Sequence, residues 1–440
     1  MAENNNESKQ GFTGFLYDQG DRIALLKRVL KALGNPDTDF LIIHVCGTNG
    51  KGSTAKMIAN LLANLHHHVG LFTSPFIGDV TNSIQIDSQN IGKSDLNQIL
   101  GSLKKTMSSS EFLNDELSSF EAQFVAAMVY FSKQSVDFVV LECGLGGELD
   151  ATNAVTTTLY SIFTRIGLDH IGILGDTIAE IATTKSKIIR PGNTTIVAPN
   201  QRAISMEILK NEAHIKGSGL IDASQVKISQ KANADGSSII NYRYGKISGS
   251  FRFSLLGTYQ LENVATVLTW LFDFARKNRL QLDYDHLLSQ TFSSMIVPGR
   301  FEAISSSPKI ILDGAHNLDA IGAFVDTVQS RYTDENKIFV TGFLKDKDYQ
   351  DNIRLLTTIN HADFKITQPN NPDRALSAKS LEKVIIEETG NVYPSFDDPI
   401  AALKDAISEA NQRPNTIVFV VGSFYLLNPI RTYLKTRSER

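Results

Sequence analysis

Apolar residues follow two rhythms along this chain. Short, mainly apolar runs read as buried strands: Phe40 to Cys46, broken only by His44, then Val69 to Thr73, Val136 to Leu141, Leu159 to Thr164 and Thr194 to Ala198. Around them, apolar residues recur at helical spacing in Asp21 to Leu33, in the stretch ending at Leu65, and in Ser94 to Met107, Ser119 to Lys133 and Thr177 to Ile189. Gly34-Asn35-Pro36 stops the first helix and Pro191-Gly192 the last. This alternation predicts a largely parallel, helix-covered sheet.

The texture changes between Val226 and Phe253, where short alternating segments and the turn signals Asp235-Gly236 and Tyr244-Gly245-Lys246 predict a small antiparallel insert. Helices follow over Gln260 to Lys277 and Asp285 to Phe292. Pro298-Gly299 marks the domain boundary. Beyond it, strands at Lys309 to Leu312, Lys337 to Thr341, Phe364 to Thr367 and Thr416 to Val421 alternate with helices at Asn317 to Ser330, Tyr349 to Thr358, Ser380 to Glu388 and Pro399 to Ala410. A terminal helix completes the pattern. The fold class expected is α/β. A P-loop-type, mostly parallel sheet domain with a β insert spans residues 1–297, and a Rossmann-like α/β domain spans 298–440.

Composition changes this picture little. A chain of 440 residues has length for two or three cores, and a net charge of −4 with interspersed signs offers no basic face for nucleic acid. The two cysteines, Cys46 and Cys143, lie in apolar runs without a CxxC pair, which fits a reducing cytoplasm. MAENNNESKQ lacks the features of a signal or transit peptide and reads as disordered, and no apolar run approaches the roughly 20 residues that span a bilayer. Consecutive His66, His67 and His68 point in different directions on a helix, so they read as loop residues and not as a metal site.

The candidate chemistry starts where the first strand ends. Gly47-Thr-Asn-Gly-Lys-Gly-Ser-Thr54 leads from a buried strand into a helix, compressing the common GxxxxGK[ST] spacing to GxxGKGS. Backbone N–H groups and the helix N-terminus favour an anion, and Lys51 adds a charge. The cradle is therefore expected to hold phosphate, with Lys51 on the β/γ phosphates and Ser53 or Thr54 helping to hold phosphate or Mg²⁺. Glu142 ends a buried strand beside Gly144, Gly146 and Gly147, where a hard oxygen ligand suits Mg²⁺; a cap or salt bridge is the structural alternative. His170, Asp313-Gly-Ala-His-Asn317 and Gly342-Phe-Leu-Lys-Asp-Lys-Asp348 also follow strands. If the later groups serve the cradle's site, that site lies between the domains.

Together these motifs resemble folylpolyglutamate synthase and its bifunctional relative dihydrofolate synthase, within the Mur ligase superfamily. The matching segments run in order: HVCGTNGKGST, TSPF, FEAQF, ECGLGGELDATN, IGLDHIGILGDTIAEIA, Lys185, LGTYQLENVATVL, PGRFE, LDGAHN, GFLKDKD and VGSFYLL. The resemblance implies an ATP-dependent ligase that joins L-glutamate to the γ-carboxylate of tetrahydrofolate through an acyl phosphate, with dihydrofolate synthase activity on dihydropteroate left open. It further implies that Gly50, Lys51, Gly52 and Ser53 hold ATP phosphates. Asn263, Arg300 and Asp313 contact the nucleotide, and His316 lies beside the reacting phosphate or glutamate. Ser74 and Glu142 ligate a first Mg²⁺; Glu142 and His170 ligate a second. Lys185 is carbamylated. The family is commonly monomeric.

Four positions depart from the family's usual residues. Lys187 follows the carbamate position, Tyr259 stands where histidine is common, Ser83 lies in an altered loop, and Glu148 replaces a frequent arginine. A divergent paralogue with reduced or altered ligation is accordingly a second reading. Another amide ligase of the superfamily and a motor or switch GTPase are further ones. The third glycine of GTNGKGST favours the folate branch.

Overall fold

The computed structural model describes residues 12, 16–17, 19–233 and 236–438. The predicted disorder of residues 1–10, and Asp235 of the predicted turn, lie outside them. The described residues divide into two compact units. One holds residues up to Lys231 with Ile239–Arg252 and Leu261–Ser293; the other holds Ala232–Ser238, Phe253–Gln260 and residues from Ser294 onward.

In the first unit, helix α1 (Arg22–Ala32) starts at Asp21, whose side chain accepts the Ala24 N–H at 2.9 Å. Then follow β1 (Leu41–Cys46), α2 (Lys51–Asn64), β2 (Val69–Phe72), β3 (Ile84–Ile86), β4 (Gln89–Asn90), α3 (Lys93–Met107), α4 (Ser119–Lys133), β5 (Phe138–Glu142) and β6 (Tyr160–Phe163). Helix α5 (Ile178–Ser186), β7 (Thr194–Val197), α6 (Ala203–Ile215) and β8 (Gly219–Asp222) continue the run. The sheet order is β4-β3-β2-β5-β1-β6-β7-β8. All pairs from β2 to β8 are parallel, while β3 and β4 add an antiparallel edge.

Because β1 lies between β5 and β6, the carboxyl ends of β2, β5, β1 and β6 are neighbours along one margin. Open α/β sheets bind ligands at such a margin. Each face of the sheet has its own core, as a parallel sheet requires. Leu96, Ile99, Leu100 and Leu103 give α3 a buried stripe at helical spacing. Helix α4 starts with a Ser118/Glu121 capping box, and Glu121 also pairs with buried Arg22 at 2.6 Å. Further along the same face, Ile181 and Ala182 of α5 and Leu209 and Ala213 of α6 pack with Cys46, Cys143 and Phe163, while the other face buries Ile43, Val45 and Val140.

Strands β9 (Lys227–Ala232), β10 (Ser238–Tyr244) and β11 (Ile247–Phe253) form the predicted small sheet, in the order β11-β10-β9. Helices α7 (Gln260–Lys277) and α8 (Tyr284–Phe292) follow, and Tyr242 Oη donates to Asp285 Oδ1 at 2.8 Å.

The second unit contains β12 (Glu302–Ser306), β13 (Lys309–Asp313), α9 (Leu318–Arg331), β14 (Asn336–Thr341), α10 (Tyr349–Leu356), β15 (Ala362–Thr367) and α11 (Ala378–Thr389). It ends with β16 (Ser395–Phe396), α12 (Pro399–Gln412), β17 (Thr416–Val421) and α13 (Phe424–Ser438). Its sheet runs β12-β13-β17-β14-β15-β16, parallel apart from the β12 edge. The segment Phe253–Gln260 groups with this unit through real bonds. Ser254 Oγ donates to Met295 O at 2.6 Å, and the Thr258 and Thr327 hydroxyls meet at 2.9 Å.

Candidate active site

The loop after β1 is shaped by what its glycines lack. Gly50 has φ 89° and caps α2. A Cβ on it would strike the carboxamide of Asn263, so the predicted nucleotide contact Asn263 stands beside the cradle. Gly47, at φ 147°, leaves no room for a Cβ against Thr164. Thr48 ties the loop to its neighbour, since its Oγ1 donates to Gly167 O and accepts the Gly167 N–H, both at 3.0 Å. Lys51 Nζ donates to Thr48 O at 3.1 Å, which holds the ammonium over the mouth of its own loop.

Glu142 and Ser74 meet at this cradle. Glu142, 3% exposed, accepts the Ser74 N–H on Oε2 at 3.1 Å. A Cβ on Gly52 would lie 3.0 Å from the same oxygen, so the first turn of α2 runs flush against the carboxylate. Ser74 Oγ is buried without a hydrogen-bond partner among the described residues, as is Thr54 Oγ1. Leaving such atoms unbonded is costly. A carboxylate beside an unbonded hydroxyl is the kind of donor set a hard cation takes, and Mg²⁺ completes its shell with water and phosphate oxygens. The residues thus fit Mg²⁺ with a nucleotide triphosphate.

His170 lies on the loop after β6, has φ 52° and keeps Nε2 3.9 Å from Asp169. Among the described residues no three His, Cys, Asp or Glu side chains form a preformed metal cage, so Glu142 and His170 are not part of one.

Lys185 is 4% exposed on α5, and burial holds its amine below the lysine range, with Cys46 opposing and Lys51 adding to the effect. Lys187 turns away from that role: its Nζ donates to Glu212 Oε2 on α6 at 2.8 Å. The other departures are also accounted for in part. Ser83 Oγ bonds Val80 O at 2.7 Å inside its own turn, while the Glu148 side chain is exposed.

In the second unit, Asp313 ends β13 and accepts three hydrogen bonds. Its Oδ1 accepts the Ala315 N–H at 2.8 Å; its Oδ2 accepts the Tyr259 hydroxyl at 2.8 Å and the Phe301 N–H at 2.9 Å. Burial lifts its carboxyl above the usual range, opposed by Arg300 and these donors. His316 Nδ1 lies 2.7 Å from Gly314 O, so this nitrogen carries a proton and donates to the carbonyl. Phe424 joins the group: the Arg300 guanidinium sits 4.6 Å from its ring centroid and the His316 ring 6.0 Å away.

A polar network under the first cradle escaped the sequence reading. His44 on β1 is fully buried, with Nε2 2.8 Å from Thr152 Oγ1 and 3.1 Å from Cys143 Sγ. Thr152 in turn bonds Asp150, whose Oδ2 accepts the Leu145 N–H at 2.6 Å and fixes the glycine loop after Glu142. Burial, with Arg190 adding, holds the His44 imidazole at about 3, so it is neutral. His44 lies in HVCGTNGKGST and Asp150 and Thr152 in ECGLGGELDATN; what the sequence did not show is the pairing of His44 with Thr152 across 108 residues.

Comparison with known proteins agrees with this layout. Residues 45–271 match the Mur ligase middle domain and residues 299–424 the Mur ligase glutamate ligase domain. The dihydrofolate synthase/folylpolyglutamate synthase of Bacillus subtilis is 32% identical over 416 residues, 93% of this chain and 94% of that protein. Among solved structures, Mycobacterium tuberculosis folylpolyglutamate synthase complexed with ADP and AMPPCP aligns with a TM-score of 0.86 at 26% identity, covering 95% of this chain and 96% of the other. The bifunctional folylpolyglutamate synthase/dihydrofolate synthase of Yersinia pestis, complexed with AMPPNP and Mn ion, aligns at 0.79 and 26%, covering 93% and 92%.

Proposed function

The chain belongs to the folylpolyglutamate synthase/dihydrofolate synthase family of Mur ligases, and on that premise we propose how its residues join L-glutamate to the γ-carboxylate of a tetrahydrofolate at the expense of ATP. The observation that carries the reading is the unbonded, buried Ser74 Oγ beside Glu142 at the foot of the glycine cradle. Dihydropteroate is the second acceptor to be considered.

Bound ATP with Mg²⁺ supplies an electrophilic γ-phosphate and neutralises charge around it. The protein's part is positioning and electrostatics. Gly50, Lys51, Gly52 and Ser53 receive the phosphates on backbone N–H groups, the helix end and the ammonium. Ser74 and Glu142 would hold one Mg²⁺, and Glu142 and His170 would hold a second. Asn263, Arg300 and Asp313 orient the nucleotide. His316, its ring held by the bond from Nδ1 to Gly314 O, lies beside the reacting phosphate or glutamate. The buried Lys185 amine, held below the lysine range, is suited to take up CO₂ with loss of a proton, giving a carbamate that serves as an extra anionic ligand. Residues 1–297 act as the ATP-binding part and 298–440 as the glutamate-ligase part. A monomer in the cytoplasm, where its two buried free cysteines remain reduced, fits this work. The pairing of Lys187 with Glu212 removes one reason to favour an impaired paralogue.

The test is incubation with Mg²⁺, ATP, L-glutamate and either tetrahydrofolate or dihydropteroate, with products read by mass spectrometry. Glutamylated tetrahydrofolate is expected; product from neither acceptor would refute the reading. Lys185→Ala should lose activity that added formate or acetate partly restores, and the absence of any restoration would count against the carbamate.

A further inference from the structure

Tyr259 has not been assigned a task, yet its hydroxyl is built into the second unit's constellation. It donates to Asp313 Oδ2 at 2.8 Å, and the same oxygen accepts the Phe301 N–H at 2.9 Å. Phe301 directly follows Arg300 and has φ 48°, a left-handed conformation that a phenylalanine seldom adopts. Two things hold it there. Its ring is 2% exposed, stacked on Tyr332 at 6.3 Å, and its amide is fixed by the carboxylate. The rest of the turn is equally determined: Gly299 N–H donates to Glu302 Oε2 at 2.9 Å and Arg300 N–H to Val297 O at 3.1 Å.

Tyr259 is itself held in place. A Cβ on Gly257 would lie 2.5 Å from the Tyr259 ring, so the bare glycine is what lets the ring fold over. Thr258 N–H and Oγ1 both meet Thr327 Oγ1, at 3.1 and 2.9 Å, which fastens the backbone before the tyrosine. Burial, with Asp313 adding, pushes the phenol well up, so it is a permanent donor.

We propose that Tyr259 is a positioning residue for the nucleotide: its hydroxyl fixes Asp313 and, through the Phe301 amide, the strained turn that aims Arg300. Asp313 keeps a lone pair on Oδ1 for a ligand hydroxyl, since that oxygen accepts only the Ala315 N–H among the bonds named. The inference rests on the ATP reading above.

The test compares Tyr259→Phe with the wild type by calorimetric titration of Mg-ATP, steady-state kinetics, thermal melting and amide exchange. Loss of one charge-assisted hydrogen bond should raise Kd and KM for ATP about tenfold, while KM for glutamate and the melting temperature change little. The Arg300 charge and the Tyr259 hydroxyl both favour the Asp313 carboxylate. Removing the phenol therefore withdraws support from the carboxylate form, and the acid limb of ATP affinity should move to higher pH. The Phe301 amide should exchange faster. Unchanged ATP affinity in Tyr259→Phe would overturn the inference. So would weaker affinity accompanied by a lowered melting temperature, an unmoved acid limb and unchanged exchange at Phe301, which would mark a purely structural residue. A wild type that binds no ATP would instead bring down the reading beneath it.

Discussion

The loop after β1 and the loop after β13 both follow a buried parallel strand, yet they satisfy their polar groups differently. In the first, Lys51 bonds its own loop's Thr48 carbonyl, and Ser74 Oγ and Thr54 Oγ1 have no hydrogen-bond partner among the described residues. In the second, Asp313 already accepts three bonds, His316 donates to Gly314 O, and Arg300 rests on Phe424. The first region is shaped by absences at Gly47, Gly50 and Gly52, which keep side chains away from Thr164, Asn263 and Glu142. The second is filled by an aromatic ring and its own hydrogen bonds. A region with unbonded buried hydroxyls and a region whose acceptors are already occupied by its own donors should respond differently to mutation.

The sharpest separation comes from Lys51→Ala and Glu142→Ala. Each removes charge that acts on the phosphates, so turnover should fall by roughly two to three orders of magnitude with little loss of thermal stability. A large drop in melting temperature with residual turnover would invert the contrast. Asp313→Ala should do both kinds of damage, because it strands buried donors from Tyr259, Phe301 and Ala315. A loss of about 2–3 kcal/mol in unfolding free energy is expected from denaturant titration, alongside weaker ATP binding.

A further effect, on stability alone, concerns His44. Its imidazole titrates near 6.5 in the unfolded chain and about 3 in the fold. Between those values the unfolded state binds the extra proton. Its contribution to stability is therefore whole above pH 6.5 and declines as pH falls toward 3, by up to about 1.4 kcal/mol per pH unit. His44→Gln should flatten that part of the stability–pH curve; an unaltered slope would remove His44 from the account.

Much of this was legible in the sequence because local patterning and local chemistry coincide. Helix α4 begins and ends where its apolar spacing and capping box say, and β17 coincides with its apolar run. Helix α6 went unread because its stripe is thin: only Ser205, Leu209, Glu212 and Ala213 are buried. Strands β3, β4 and β16 have three, two and two residues, too short to show a period, and β12 ends in adjacent Ser305 and Ser306 on a half-exposed edge. At the site, the motif residues could be named from their order in the chain. Their partners could not. Tyr259 reaches Asp313 across 54 positions and His44 reaches Thr152 across 108, pairings set by strand order and not by spacing. Lys187 is the instructive case: the sequence put its charge near Lys185, whereas the helix turns it to Glu212.

The most direct test follows ATP and folate in one vessel. Purified protein with Mg²⁺, ATP, L-glutamate and tetrahydrofolate should form ADP and glutamylated folate in equal amounts, and omitting either glutamate or folate should stop net product formation. ADP released at the same rate without folate, or no glutamylated product while ATP is bound, would contradict the assignment of the glycine cradle to a glutamate ligase.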